Sequence, residues 1–231
     1  MIPEKVEALF ISDIHLGSEG CDAKSVLEVL KKYEPETLIL VGDIIDGWLL
    51  SKRFYWPQEH TNVIRKILSY SKKGTKVIYV PGNHDEFLRN YLEFSFGNIE
   101  VHNEYIFNDA FIVHGDAYDG IVQLNWLGML GSFGYEIAII IDRNLKKFGY
   151  KKSISKWLKE KLKEAVKFIT DFEKELVKQA KSRNCTSVIC GHIHKAEDKN
   201  IDGIRYMNTG DWVESKTYIT YNKGEYKVHG I

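Results

Sequence analysis

An α/β or mixed-sheet fold is what this sequence predicts, and three observations predict it. Short apolar runs rich in β-branched and aromatic residues alternate with segments of helical period. Five of those runs end in loops built from Gly, Asp, Asn and His. After Cys190 the runs crowd together and turn through Asn222-Lys223-Gly224, as antiparallel strands do.

Taken in order, Ala8 to Ile11 reads as a first strand and Leu38 to Val41 as a second. Between them Ala23 to Tyr33 has helical period, with Val26, Leu27 and Leu30 facing inward. A second helix, His60 to Lys72, carries Val63, Ile64, Ile67 and Leu68. Strands come next at Val77 to Val80, Ala110 to Val113 and Ser187 to Cys190, each an uninterrupted apolar run suited to burial on both faces. Arg205 to Asn208, Thr217 to Tyr221 and Tyr226 to Val228 complete the strands. Between the fourth and fifth strands an insertion over 118–183 reads as helical. Its last part, Ser153 to Ser182, places Ile154, Leu158, Leu162, Ala165, Ile169, Phe172, Leu176 and Ala180 on one apolar stripe. A single domain over 1–231 carrying this insertion is expected.

Lys plus Arg equals Asp plus Glu, 32 against 32, which speaks against a nucleic-acid partner. Cys21, Cys185 and Cys190 are too few and scattered for a disulfide framework or structural zinc site. The first seven residues lack a basic stretch followed by an apolar one, so a cytoplasmic location is expected. No obligate protein partner is expected either.

The chemistry lies in the loop at the end of each strand. The loops read Asp13-Ile14-His15, Gly42-Asp43-Ile44-Ile45-Asp46-Gly47-Trp48, Gly82-Asn83-His84-Asp85, His114-Gly115-Asp116 and Gly191-His192-Ile193-His194. Ligands of open α/β sheets gather beyond the carboxyl ends of strands, so the five can converge. They hold five of the eight histidines. Hard oxygen and borderline nitrogen donors together suit Mn²⁺, Fe²⁺, Zn²⁺ or Co²⁺ rather than Ca²⁺, and there are donors enough for two ions. A carboxylate bridging two cations ~3.5–4 Å apart gives a hydroxide source at neutral pH and neutralises phosphate oxygens.

This series of motifs resembles the calcineurin-like metallophosphoesterase superfamily. The resemblance implies a four-layer α+β sandwich, two facing mixed β-sheets flanked by helices, with the helical insertion as a lid. It implies that Asp13, His15, Asp43 and His194 hold one divalent ion, Mn²⁺ foremost. Asp43, Asn83, His114 and His192 would hold the other, with Asp43 as the bridge. His84 would contact the substrate phosphate and assist the leaving group, oriented by Asp46. Asn83 and His192 would also face the substrate.

Within the superfamily the sequence is similar to the UDP-2,3-diacylglucosamine diphosphatases of lipid A synthesis. Gly42 to Trp48 resembles their second motif, and the insertion lies where they carry an acyl-binding lid. The stretch Gly191 to Ser215 is similar to proteins grouped with them. His84 stands where that family has arginine, which places the chain in a histidine-bearing sister group. The substrate implied is UDP-2,3-diacylglucosamine-like, cleaved to UMP and an acylated sugar 1-phosphate.

The insertion admits two physical readings. Ile121 to Ile141 carries one charge, Glu136, but its glycines and polar residues are unlike a membrane span. From Arg143 to Lys167 basic residues exceed acidic ones by eight. The pair are core helices beside a solvated basic face, or a lid whose groove takes lipid tails and whose basic block rests on the inner-membrane surface. Their adjacency favours the lid. Arg89 is placed to reach a phosphate or to form a salt bridge, and Asp119 to touch a sugar or to begin a helix. Trp48 and Trp212 are expected to pack in the core, and His60, His102 and His229 to be structural or surface residues.

The alternative enzyme is a phosphatase or phosphodiesterase of a soluble substrate. Gly47, where protein phosphatases of the superfamily carry arginine, argues against a phosphoprotein. A non-catalytic scaffold would have lost metal ligands, and none is missing.

Overall fold

The computed structural model describes residues 2–92, 94–118 and 154–231, and the side chains of all of these but 154–165. Among the described residues, twelve strands form two mixed sheets. The first, seven-stranded, runs β12-β11-β1-β2-β3-β5-β4, from β1 (Glu4–Ile11), β2 (Tyr33–Val41), β3 (Lys76–Val80), β4 (Ser95–Phe96), β5 (Ile99–Val101), β11 (Thr217–Asn222) and β12 (Glu225–Gly230). The second runs β6-β7-β8-β10-β9, from β6 (Tyr105–Phe107), β7 (Ala110–Ile112), β8 (Ser187–Cys190), β9 (Glu197–Ile201) and β10 (Ile204–Asn208).

Alternation along β1 explains the layering. Ala8 and Phe10 join Ile39, Val41, Ile78 and Val80 of the first sheet and Ile112, Ile189 and Met207 of the second in one core. Leu9 and Ile11, on the opposite face, join Leu38, Leu40, Val77 and Tyr79 with residues from the helices α1 (Ala23–Lys32) and α3 (Gln58–Lys72). A strand sandwiched between such layers has no polar face to show, hence its apolar run. α1 is started by Asp22, whose carboxylate accepts the Ser25 backbone N–H at 3.1 Å. It passes straight into β2 at Tyr33. A short helix, α2 (Gly47–Lys52), comes after the second loop.

Every strand expected from the sequence forms. Those it did not announce are β4, β5, β6 and β9, and α2 was not announced either. β9, Glu-Asp-Lys-Asn-Ile, is a charged edge strand, where polar residues protect an open hydrogen-bonding row.

The described residues divide into two compact units, 1–116 with 176–231, and 117–175. The helix expected from Ser153 to Ser182 is α4 (Ile154–Ser182). Phe172, Leu176 and Ala180 of its stripe are buried. Asp119, the stretch Ile121 to Ile141, and the basic block up to Ser153 lie outside the described residues. Among those described, no helix is long and apolar enough to cross a membrane.

Candidate metal centre

The parallel register of β1, β2 and β3 brings three loops level with one another. β7, β8 and β10 do the same for the second sheet. Backbone bonds then stitch loop to loop. Asp13 N–H donates to Gly42 O and His15 N–H to Asp43 O, both at 2.9 Å. Gly191 N–H reaches His114 O at 3.1 Å, and Trp212 N–H reaches Asp13 O at 3.1 Å. The site therefore sits at the carboxyl ends of both sheets.

Five of its residues hold left-handed backbone: Asp13 (φ 48°), His15 (54°), Asp43 (54°), His192 (71°) and His194 (54°). That region costs a non-glycine residue roughly 1–2 kcal/mol. Such strain persists where surrounding structure fixes it, and it clusters at functional sites. Two glycines make room between the loops. A Cβ on Gly82 would lie 2.6 Å from His114 Nε2, and one on Gly191 would lie 2.6 Å from Ser12 Oγ and against Asp13.

The side chains gather into three groups whose donor atoms lie within 4.8 Å of one another: Asp13, His15 and His194; Asp43, His114 and His192; and His15, Asp46 and His84. In the first, His194 Nε2 is 3.3 Å from Asp13 Oδ1 and 3.2 Å from His15 Nε2. In the second, His114 Nε2 is 3.2 Å from Asp43 Oδ2, while its Nδ1 faces Val41 O at 2.9 Å. Asp43 Oδ1 accepts the His84 backbone N–H at 2.8 Å. In the third, Asp46 spans His84 Nδ1 at 3.0 Å and His15 Nδ1 at 3.4 Å. Asn83 is exposed and makes no side-chain hydrogen bond among the described residues.

Asp13 and Asp43 are 0% and 1% exposed. Burial opposes their ionisation, yet His194 beside Asp13 and His114 beside Asp43 hold both carboxyls below the usual carboxylate range. Burial also disfavours a charged His114, but Asp43 and Asp13 push it up to about 10. His194 is raised against burial by Asp13, and His84 by Asp46. Protonated imidazoles thus supply the positive charge that the carboxylates require. The fit to cations rests on His114 Nε2, a buried nitrogen that forms no hydrogen bond among the described residues and faces Asp43. Borderline nitrogens and hard oxygens interleaved in this way suit first-row divalent ions.

Sequence reasoning passed over several neighbours. Asp85 is fully buried and accepts Ile44 N–H at 2.8 Å, Gly82 N–H at 2.6 Å and the Tyr79 hydroxyl at 2.5 Å, tying the second loop to the third. Its place as the last residue of Asn-His-Asp was the available signal. Ser12 donates to Asp13 Oδ2 from behind. Arg89 is paired with Asp116 at 2.7 Å and donates to Pro81 O at 3.1 Å, so its guanidinium is held by a carboxylate. Trp212 is buried and stacked on Tyr218, as expected. Trp48 does not pack in the core: it is 53% exposed, because α2 buries no residue, and its ring stands edge-on to His84 at 5.7 Å. His60 is buried and accepts Gly17 N–H at 3.0 Å, His102 pairs with Glu100, and His229 bonds Thr220.

His114 gives the site a pH dependence. Its folded-state pKa of about 10 stands above the ordinary 6.5. Its stabilising charge is therefore complete below pH 6.5 and lost as pH rises through about 10. Cations compete with those protons. In EDTA the melting temperature is predicted to fall across that interval, and the gap between Mn²⁺-loaded and EDTA-treated protein to widen. Differential scanning calorimetry reads the gap, and one constant with pH would contradict this electrostatic account.

The calcineurin-like phosphoesterase model matches residues 7–196, which hold all five loops. A UDP-2,3-diacylglucosamine hydrolase of Porphyromonas gingivalis is 30% identical over 101 residues, 40% of this chain and 38% of that protein. The matched stretch thus spans little more than a third of that relative. Among solved structures, a phosphoesterase of E. coli, YfcE, is 15% identical with a TM-score of 0.45, covering 94% of this chain and 88% of that one. An archaeal phosphodiesterase is also 15% identical, with a TM-score of 0.44 over 97% of this chain and 99% of that one. With its two mixed sheets, flanking helices and Asp/His loops, the chain belongs to the calcineurin-like phosphoesterase family.

Proposed function

We propose that this chain hydrolyses the diphosphate of a UDP-2,3-diacylglucosamine-like substrate, giving UMP and an acylated sugar 1-phosphate. The observation that carries the chemistry is the joining of an Asp13–His15–His194 group and an Asp43–His114–His192 group to one Asp46–His84 pair. The observation that favours this substrate is the likeness to the P. gingivalis hydrolase.

In this reading Asp13, His15 and His194 hold one ion, Asn83, His114 and His192 hold the other, and Asp43 is shared. Mn²⁺ is the ion proposed. Two bound ions supply a nucleophile from water at neutral pH and neutralise the phosphate oxygens. The remaining work falls to the chain. Asp46 fixes His84 through Nδ1, leaving Nε2 to face the substrate. Asp46 also keeps His84 protonated to a higher pH than a free imidazole, against the opposing effect of burial. His84 then protonates the leaving oxygen. Asn83 and His192 contact the phosphate. The acyl and membrane-surface roles proposed for the insertion, and the sugar contact of Asp119, fall on residues outside those described.

UMP release from UDP-2,3-diacylglucosamine with Mn²⁺ tests the substrate, set against an aryl phosphodiester. Formation of UMP is expected. Turnover of the aryl diester without UMP would remove the lipid substrate and leave a phosphodiesterase of soluble esters. His84→Ala should lower kcat about 10²–10⁴-fold while Mn²⁺ affinity is kept. Wild-type kcat in that variant would remove the proton-donor role.

A further inference from the structure

We propose that Asp46 is a positioning residue for the first cation as well as for His84, fixing His15 in the tautomer that offers Nε2 to that ion. The inference rests on His15 being a ligand, as proposed above.

Asp46 is itself firmly held. It is 2% exposed and caps α2, its Oδ1 accepting the Leu49 backbone N–H at 2.8 Å. Its own N–H donates to Leu16 O at 2.8 Å, which ties it to the loop that carries His15. With Oδ1 also facing His84 Nδ1, Oδ2 is the oxygen left for His15 Nδ1, at 3.4 Å. The far side of the same ring, Nε2, faces His194 Nε2 at 3.2 Å, and His194 in turn faces Asp13.

A neutral imidazole carries one proton, and an ionised carboxylate can only accept. Asp46 therefore draws the His15 proton to Nδ1 and leaves the Nε2 lone pair among Asp13 and His194. A carboxylate behind a metal-binding histidine does this work in many sites, and losing it weakens metal affinity about 10–100-fold. One carboxylate thus serves both the ion and the acid, one oxygen toward each.

Asp46→Asn separates the roles. Asn caps a helix about as well as Asp, so α2 keeps its start. Its amide oxygen retains the Leu49 N–H, and its NH₂ turns toward His15. An NH₂ only donates, so the His15 proton moves to Nε2 and blocks the lone pair. Asp46→Ser also caps, and it is too short to reach His15.

Mn²⁺ is titrated calorimetrically into EDTA-treated, then EDTA-freed, wild type, Asp46→Asn, Asp46→Ser, His84→Ala and His15→Ala. One of two ions should bind about 10–100-fold more weakly in both Asp46 variants, with His84→Ala like wild type. Wild-type affinity at both sites in the Asp46 variants overturns the proposal. An equal weakening in His84→Ala also overturns it, because the effect would then run through His84. His15→Ala should lose that ion. If it keeps both, the ligand assignment itself fails and this inference with it, a result distinct from failure at Asp46 alone.

Discussion

Two ionised carboxylates, Asp13 and Asp43, stand buried near each other at the carboxyl ends of two sheets. Isolated charges so placed would be held out of water at a cost of many kcal/mol. They persist because nitrogen donors on every side carry positive charge or can share a cation. The other features of the site stem from this requirement. Histidines must come from both sheets, so five loops must meet. The loops meet closely enough that a Cβ at Gly82 would strike His114 and one at Gly191 would strike Asp13.

The cost appears in the backbone. Five residues of the site take left-handed conformations that L-residues avoid. What holds them is cooperative: inter-loop backbone bonds, the Asp85 hub, and the strands packed between helices and the facing sheet. Strand cores therefore fix where the loops begin, while polar hubs fix how they turn. Asp46 extends this economy, because one carboxylate starts a helix and meets two imidazoles.

Much of this was legible in the sequence. The double-faced burial of β1, β2, β3, β7 and β8 writes itself as unbroken apolar runs, and the loops of Asp, Asn and His come directly after them. β9 was not legible because an edge strand with alternating charges looks like a loop. The N-terminal half of β2 was hidden by the charges of Glu34 and Glu36 and by Pro35, which break the apolar run. Trp48 departs from expectation because aromatic residues usually pack inward, whereas α2 is a surface turn beside the loop of His84. Asp85 left only its place in Asn-His-Asp as a signal, since its bond to the Ile44 backbone joins loops that only folding brings together. Arg89 was ambiguous because sequence alone does not show Asp116 occupying it.

The central claim is that these loops form one cage for a cation pair. Anomalous scattering at the manganese edge, from crystals grown with Mn²⁺, tests it most directly. The account predicts two peaks roughly 3.5–4 Å apart, one at Asp13, His15 and His194, one at His114 and His192, with Asp43 between them. A vacant pocket, or a lone peak remote from Asp43, would contradict it.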